Sequence, residues 1–297
     1  MNSFVINILE QGFIFGIMVL GVYITYKILD FPDLSVEGSF PLGASICAKL
    51  LVMGVNPIIA TLAALVAGLL GGAITAFLHV KLKITNLLSG ILVMIGLYSI
   101  NLRIMGKANI PLFSQNSVFD IKVPKLVIIM IIAISVKYML DIFLNTKFGF
   151  LIRATGDNPK LVTSLGIDIG LTKFAALMVS NGLVALSGAL VCQYQRFSDA
   201  GMGTGIIVMG LASIIFGESI FKKVKLINLT TMALLGSILY KTSVALALKL
   251  GFPPTDLKLI TALIVALMLG LNNKKMTFKF KTFTIGGRQN AVGTKSL

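Results

Sequence analysis

The chain has 297 residues, of which 56 % are hydrophobic and only 12 % are charged. Soluble domains carry about 25 % charged residues, so this composition excludes a soluble enzyme with a membrane tail and predicts a protein embedded in a lipid bilayer. The formal charge of +15 would favour a nucleic-acid partner in a soluble protein. Here the basic residues lie mainly between apolar runs, where membrane topology explains them without nucleic acid.

Apolar runs recur along the whole chain, and a bilayer-crossing helix needs roughly 20 such residues. The pattern predicts nine helices, at 3–29, 40–53, 57–80, 85–105, 123–145, 171–194, 205–220, 226–249 and 256–271. The second and seventh are short. Each follows a polar stretch rich in helix breakers, 31–41 and 197–205, whose free backbone groups would be unsatisfied against lipid.

The distribution of Lys and Arg predicts the orientation. With the N-terminus outside and the connection 146–170 in the cytoplasm, about twice as many basic residues lie inside as outside, as the positive-inside tendency requires. The transmembrane domain is then 1–271, and 272–297 is a basic cytoplasmic tail. Metal binding has no support, because Cys47 and Cys192 lie within apolar runs and His79 is the one histidine.

The chain repeats itself weakly at a separation of 166 to 170 residues. Phe31-Pro32-Asp33 before one short helix matches Phe197-Ser198-Asp199 before the other, and Thr85-Asn86-Leu87 matches Thr255-Asp256-Leu257. Five spans separate the equivalent positions, so the two halves would face opposite ways, as in the inverted repeats of transporters. The alternative interpretation is that F-x-D is only a helix-capping arrangement.

A polar segment with a helical pattern, GFLIRATGDNPKLVTSLGID, occupies 149–168. It resembles the coupling segment of ABC importer permeases of the branched-chain amino acid and ribose type, which reads G-x-x-x-R-A, a few polar residues, then a small apolar helix ending in G-I. The matching positions are Gly149, Arg153, Ala154, Asp157, Asn158, Leu165, Gly166 and Ile167.

Two further stretches, 21–44 and 201–219, look like the first and second repeat signatures of the same family. Branched-chain members usually carry an N-F-A-H-G-type string where this chain has FPDLSVEG at 31–38. The version DFPDLSVEGSF at 30–40 resembles a subgroup of tryptophan/tyrosine-type permeases. The identity of the solute therefore stays open.

The resemblance implies an all-α polytopic membrane protein, with about nine transmembrane helices in two inverted repeats with short interrupted helices. Repeat one would cover about 1–145 and repeat two about 171–271, joined by the cytoplasmic coupling segment 146–170. The chain would be a non-enzymatic permease subunit that carries an amino acid, aromatic or branched-chain, through the bacterial cytoplasmic membrane, with its C-terminus in the cytoplasm.

The resemblance also implies the partners. The chain would hold no cofactor, while ATP and Mg would bind to two copies of a separate ATP-binding subunit. A second permease copy would complete the path, and an extracytoplasmic solute-binding protein would deliver the solute. Arg153 and Asp157, four residues apart on a helix, would share a face and either pair with each other or contact the ATP-binding subunit. The alternative is an ordinary interfacial loop.

Polar residues at membrane depth mark the candidate substrate path, because they are tolerated where they line a water-filled cavity. The candidates are Asp33, Ser35, Glu37, Ser39, Asp199 and Thr204. Each has a rival role, since Ser and Thr commonly cap helices and the two acids near the second helix would favour its positive end.

An ion-coupled secondary transporter is the alternative function. It would fit an inverted repeat equally well and would make Lys137, Glu10 or Glu218 the coupling residue. Lys137 and Asp141 stand four apart in the fifth predicted helix. A neutralised pair inside the bundle is favoured over a proton or ion site there.

Overall fold

The computed structural model describes residues 3–221, 224, 227–253 and 256–272. The predicted tail after Asn272 and the lysines at 222, 223 and 225 lie outside the described residues. The helices are α1 (Ser3–Tyr23), α2 (Val36–Val52), α3 (Pro57–Val80), α4 (Asn86–Met105), α5 (Lys125–Asn145), α6 (Lys147–Asp157), α7 (Pro159–Ser164), α8 (Ile169–Gln195), α9 (Ile206–Phe221), α10 (Leu229–Lys249) and α11 (Leu257–Asn272). A π-helical turn, Ile24–Ile28, extends α1, and two short strands are β1 (Asn109–Pro111) and β2 (Phe197–Asp199).

Within these ranges, six helices are long and apolar enough to cross a membrane: α1 with its π-helical turn, α3, α4, α5, α8 and α10. Helix α9 is apolar but shorter. The prediction of a mostly helical membrane protein is confirmed. Nine spans and an inverted repeat stay predictions.

Helix α8 lies at the centre of the bundle, and 72 % of the residues in its most apolar 18-residue stretch are buried. Glycines bring its backbone into contact with its neighbours. A Cβ atom added at Gly43 of α2 would collide with the Ala185 carbonyl oxygen of α8, and one at Gly72 of α3 would collide with the Leu177 carbonyl oxygen. Small residues at such contacts let the helices pack closely. Close packing is needed because lipid is as apolar as the helices, so the hydrophobic effect does not drive helices together within a bilayer.

Helix α2 begins at Val36, four residues before the predicted start, and Pro41 lies inside it. The second half of the breaker-rich stretch 31–41 is therefore helical, and the helix start predicted at residue 40 is too late. Proline has no N–H to donate to the carbonyl four residues earlier, which belongs to Glu37. Gly203, in the turn before α9, packs directly against that carbonyl and against the Pro41 ring. Tertiary packing thus accommodates the proline within the helix.

A two-stranded antiparallel sheet joins the C-terminal ends of α4 and α8, pairing Ile110 with Ser198. Beside it, the Arg196 guanidinium forms an ion pair with Asp120. Burial opposes ionisation of Asp120, but the hydrogen bonds from the Ser117 N–H and from Arg196 outweigh it, so the pKa of the Asp120 carboxyl is lowered. The sheet and ion pair fix the turn before α9 against the connection between α4 and α5.

Replacing Gly43 with Ala tests the contact between α2 and α8. The added methyl group collides with backbone, which no change of rotamer relieves, so we expect a loss of about 1–3 kcal/mol. The matched control is Gly96→Ala in α4, where a Cβ meets nothing within 4 Å. Thermal unfolding in detergent should show a lower Tm for the first variant and an unchanged or higher Tm for the second. Equal Tm values would contradict the packing described.

Candidate functional site

A cluster of buried polar side chains lies near the middle of α8, where Asn181 faces the start of α2. The Asn181 amide donates to Asp33 Oδ2 at 2.8 Å. Asp33 Oδ1 accepts hydrogen bonds from the Ser35 N–H at 2.9 Å and from the Ser35 hydroxyl at 2.6 Å. The Ser39 hydroxyl donates to Asn181 Oδ1 at 2.6 Å. Each member is at most 2 % exposed.

This polar cluster gathers three of the predicted path residues, Asp33, Ser35 and Ser39, in one place. Their hydrogen bonds are directed to one another and to Asn181, which ties the start of α2 to α8. Buried polar groups satisfied in this way rigidify a core and specify one arrangement. Direct contact of these three residues with a solute stays a prediction.

The two F-x-D strings have the same local geometry. Asp33 Oδ1 accepts from the N–H of Ser35, and Asp199 Oδ1 accepts from the N–H of Gly201 at 2.7 Å. Such side-chain turns hold the chain in position before a helix begins. Neither aspartate caps a helix, because Ser35 is the N-cap of α2 and α9 begins at Ile206, seven residues after Asp199. The turn gives Asp199 a local structural role.

The other two path candidates line cavities. Glu37, Thr204 and Tyr98 border a cavity of about 300 Å³ between α2 and α4. The Glu37 carboxylate also accepts a hydrogen bond at 3.0 Å from the Gly205 N–H, 168 residues away. The short helix α2 and the turn before α9 therefore meet directly, as the interrupted helices of a transporter would at its substrate path.

A second cavity, of about 530 Å³, lies on the other side of the same turn, between α1, α9, α10 and α11. Thr204 belongs to both cavities. Met202, Ile206 and Met209 supply apolar walls, and Lys241 of α10 supplies an amine. We call this space the α9–α10 cavity.

The predicted coupling segment forms a pair of short helices, α6 and α7, whose inner side packs on the bundle. A Cβ at Gly149 would collide with the backbone of Leu144 in α5, and one at Gly156 would collide with the Ile28 carbonyl oxygen. The Thr155 hydroxyl lies 3.0 Å from the Thr172 hydroxyl of α8. The segment thus rests on α5, on α8 and on the π-helical turn after α1.

The opposite side of the helix pair faces outward. Phe150 is 67 % exposed and Leu165 is 65 % exposed. Arg153 and Asp157 are exposed on the same side of α6 as Phe150. We call these four residues, together with Leu161, the coupling face.

The remaining predicted coupling residues shape the helix pair. The Asn158 side chain accepts from the Leu161 N–H and so caps α7. Gly166 ends α7 with a φ of 74°, a left-handed conformation that glycine adopts without strain. Ala154 and Ile167 are half-buried.

The ionisable residues that an ion-coupled mechanism would use have partners within the chain. An ionisable residue with such a partner can be accommodated inside a helix bundle without a role in transport. The atoms of each pair are close together, in Lys137–Asp141 (2.6 Å), Lys27–Glu218 (3.0 Å) and Glu10–Tyr194 (2.8 Å).

Two residues at the site were missed as site residues by the reasoning from sequence, Asn181 and Lys241. Both are polar residues inside long apolar runs, and that signal could have found them. Their partners could not be identified, because those lie far away in the sequence: Asp33 is 148 residues from Asn181.

In the part of the chain that the structure describes, six helices long and apolar enough to cross a membrane define a multi-pass membrane protein. The profile described as "Branched-chain amino acid transport system / permease component" matches residues 4–272, so the chain belongs to this permease family.

Several named proteins are similar to the chain along most of its length. The tyrosine transport system permease protein of Clostridioides difficile is 49 % identical over 277 residues, 93 % of this chain and 94 % of the relative. The probable branched-chain amino acid transport permease protein LivH of Methanocaldococcus jannaschii is 26 % identical, over 71 % of this chain and 73 % of its own. The ribose import permease protein RbsC of Escherichia coli K12 is 24 % identical, over 71 % and 68 %. No solved structure matches the chain.

Replacing Asp33 with Ala tests the polar cluster. The variant removes the carboxylate that accepts hydrogen bonds from the Asn181 amide and from the Ser35 hydroxyl and N–H, and we expect a loss of about 2–3 kcal/mol. The matched control is Asp30→Asn, because Asp30 is exposed and has a φ of 52°, which Asn tolerates. Thermal unfolding in detergent should give a lower Tm for Asp33→Ala and a nearly unchanged Tm for the control. A variant at 33 as stable as the control would contradict the network.

Proposed function

We propose that the chain is the membrane-spanning subunit of an ATP-driven importer that brings an amino acid, aromatic or branched-chain, into the bacterial cytoplasm. The coupling face carries this proposal. It presents an aromatic residue, an arginine and an aspartate outward from helices that rest directly on the membrane core. The relative named as a tyrosine transport permease supports an amino acid as the solute.

Two ATP-binding subunits would dock on the coupling faces of two permease copies and supply the energy. Mg and ATP would bind to those subunits and not to this chain. Because Gly156 packs on the Ile28 carbonyl, motion of α6 is transmitted to the end of α1 and from there to the segment that leads to Asp33. Rigid helices that shift as bodies are the usual means of such transmission.

The remaining parts of the proposal concern topology and assembly. The N-terminus lies outside and the C-terminus in the cytoplasm, with the helices arranged as two inverted halves. β1 and β2 then face the exterior, where an extracytoplasmic solute-binding protein delivers the amino acid. The short helices α2 and α9 flank the path, and their approaches meet at Glu37 and Gly205.

Phe150→Asp tests the docking of the ATP-binding subunit. Burial of an unpaired carboxylate in the interface should reduce the amount of co-purified ATP-binding subunit at least about tenfold. The matched control is Phe113→Asp, since Phe113 is 80 % exposed in the connection between α4 and α5, at the other end of the bundle. This control should co-purify like wild type. Equal recovery from both variants would count against the coupling face.

The energy source separates the two candidate functions. The assay uses proteoliposomes that contain the full assembly and the binding protein. We expect the uptake of radiolabelled tyrosine to require ATP on the side of the membrane that carries the ATP-binding subunits. We also expect this uptake to persist when ionophores remove the ion gradients. Uptake that ignores ATP and stops with the gradient would instead favour the ion-coupled transporter. Lys137→Met would then be the first variant to examine, because it removes the charge that pairs with Asp141.

A further inference from the structure

Lys241 is a basic residue at membrane depth. It lies in α10, one of the helices long enough to cross the bilayer, eight residues before the end at Lys249. At 1.5 Å per residue, this places it about 12 Å inside the helix end. Lysine is costly at that depth, and its presence indicates a partner, a water-filled cavity or a function.

The contact that Lys241 makes is with an aromatic ring. Its Nζ lies 3.6 Å from the centroid of the Phe15 ring of α1, a cation–π geometry. Phe15 in turn stacks on Phe40 of α2 with centroids 6.0 Å apart, which fixes the ring in place. The ring therefore holds the ammonium group in position without neutralising its charge.

Three other cations of the described part of the chain form ion pairs with carboxylates. The ion pairs found there use Lys27, Lys137 and Arg196. Over the same residues, no carboxylate lies within 4.0 Å of the Lys241 Nζ. A carboxylate ligand would stabilise the charged form of the Lys241 amine strongly, because water screens the attraction between the two groups little in a largely apolar space.

The space beside Lys241 has the size and lining of a small-molecule site. The α9–α10 cavity measures about 530 Å³, within the range of roughly 300–1,000 Å³ typical of ligand pockets. Its walls are mostly apolar, and its polar side chains are few: Lys241, Thr204, Tyr240 and Thr261. The Tyr240 and Thr261 hydroxyls lie 2.7 Å apart. Such a site accepts an apolar body that carries one or two charged groups.

The α9–α10 cavity also borders the turn before α9, which contacts the short helix α2. Gly205 lines the cavity, and its N–H donates a hydrogen bond to the Glu37 carboxylate. A carboxylate therefore lies next to the part of the cavity wall that Gly205 forms. An amino acid carries both charges and an apolar side chain. Its carboxylate would face Lys241, while its side chain would lie along Phe15 and Met209.

We propose that the α9–α10 cavity is a subsite for the carboxylate of the transported amino acid, with Lys241 as the counter-ion. This inference rests on the proposed function, since it takes the amino acid as the solute. It adds a binding residue that the family membership does not assign.

Lys241→Met and Lys241→Arg test the subsite in the full assembly in proteoliposomes with radiolabelled tyrosine. Loss of a desolvated charge partner should lower the uptake rate by about tenfold or more in Lys241→Met. Lys241→Arg keeps the charge and should retain a substantial share of the uptake. The matched control is Lys249→Met, because Lys249 is an exposed lysine at the end of the same helix and should not be needed.

The outcomes separate this inference from the proposed function. Wild-type uptake that requires ATP is the reference; its absence would overturn the proposed function and the subsite with it. Wild-type uptake together with normal uptake by Lys241→Met would overturn the subsite alone. If Lys241→Met fails to assemble, Lys241→Gln replaces it, and uptake by that neutral variant equal to Lys241→Arg would also overturn the subsite.

Discussion

The close approach of α8 to its neighbours is the constraint on which the rest of the structure depends. In a bilayer, lipid is as apolar as the helices, so packing and hydrogen bonds must hold the helices together. Gly43 and Gly72 let the backbones of α2 and α3 touch α8, and the Asn181–Asp33 hydrogen bond fixes the start of α2 between them. The short helix α2 can therefore begin beside the middle of α8, and the cavity between α2 and α4 opens next to it.

The same central helix connects the two ends of the molecule. At the start of α8, Thr172 contacts Thr155 of the coupling segment. Directly after the end of α8, Arg196 precedes β2 of the two-stranded sheet and forms the ion pair with Asp120. A displacement of α6 therefore reaches α8 and α1 through packed backbone, not through a flexible linker. In the proposed importer, this continuity couples the docking of a motor subunit to the turn between the two cavities.

The sequence predicts the elements whose signals are local and misses those that depend on distant residues. The helices predicted at 57–80 and 205–220 agree with α3 and α9 to within one residue at each end. They could be predicted because each is a long apolar run bounded by helix-breaking residues. Pro41 misleads, because Gly203, far along the chain, accommodates it within α2. The pairing of Ile110 with Ser198 has no local signature. At the site, the types of residue could be predicted, but the partnership of Asp33 with Asn181 and of Lys241 with Phe15 required the fold.

The most direct test of the account is the side of the membrane on which the coupling segment lies. Lys160→Cys and Lys107→Cys place single exposed thiols on the coupling segment and at the opposite end, while the native Cys47 and Cys192 are buried. In intact cells, a membrane-impermeant maleimide should label position 107 and spare position 160 until the membrane is opened. Labelling of 160 from outside, with protection of 107, would contradict both the orientation and the proposed source of energy.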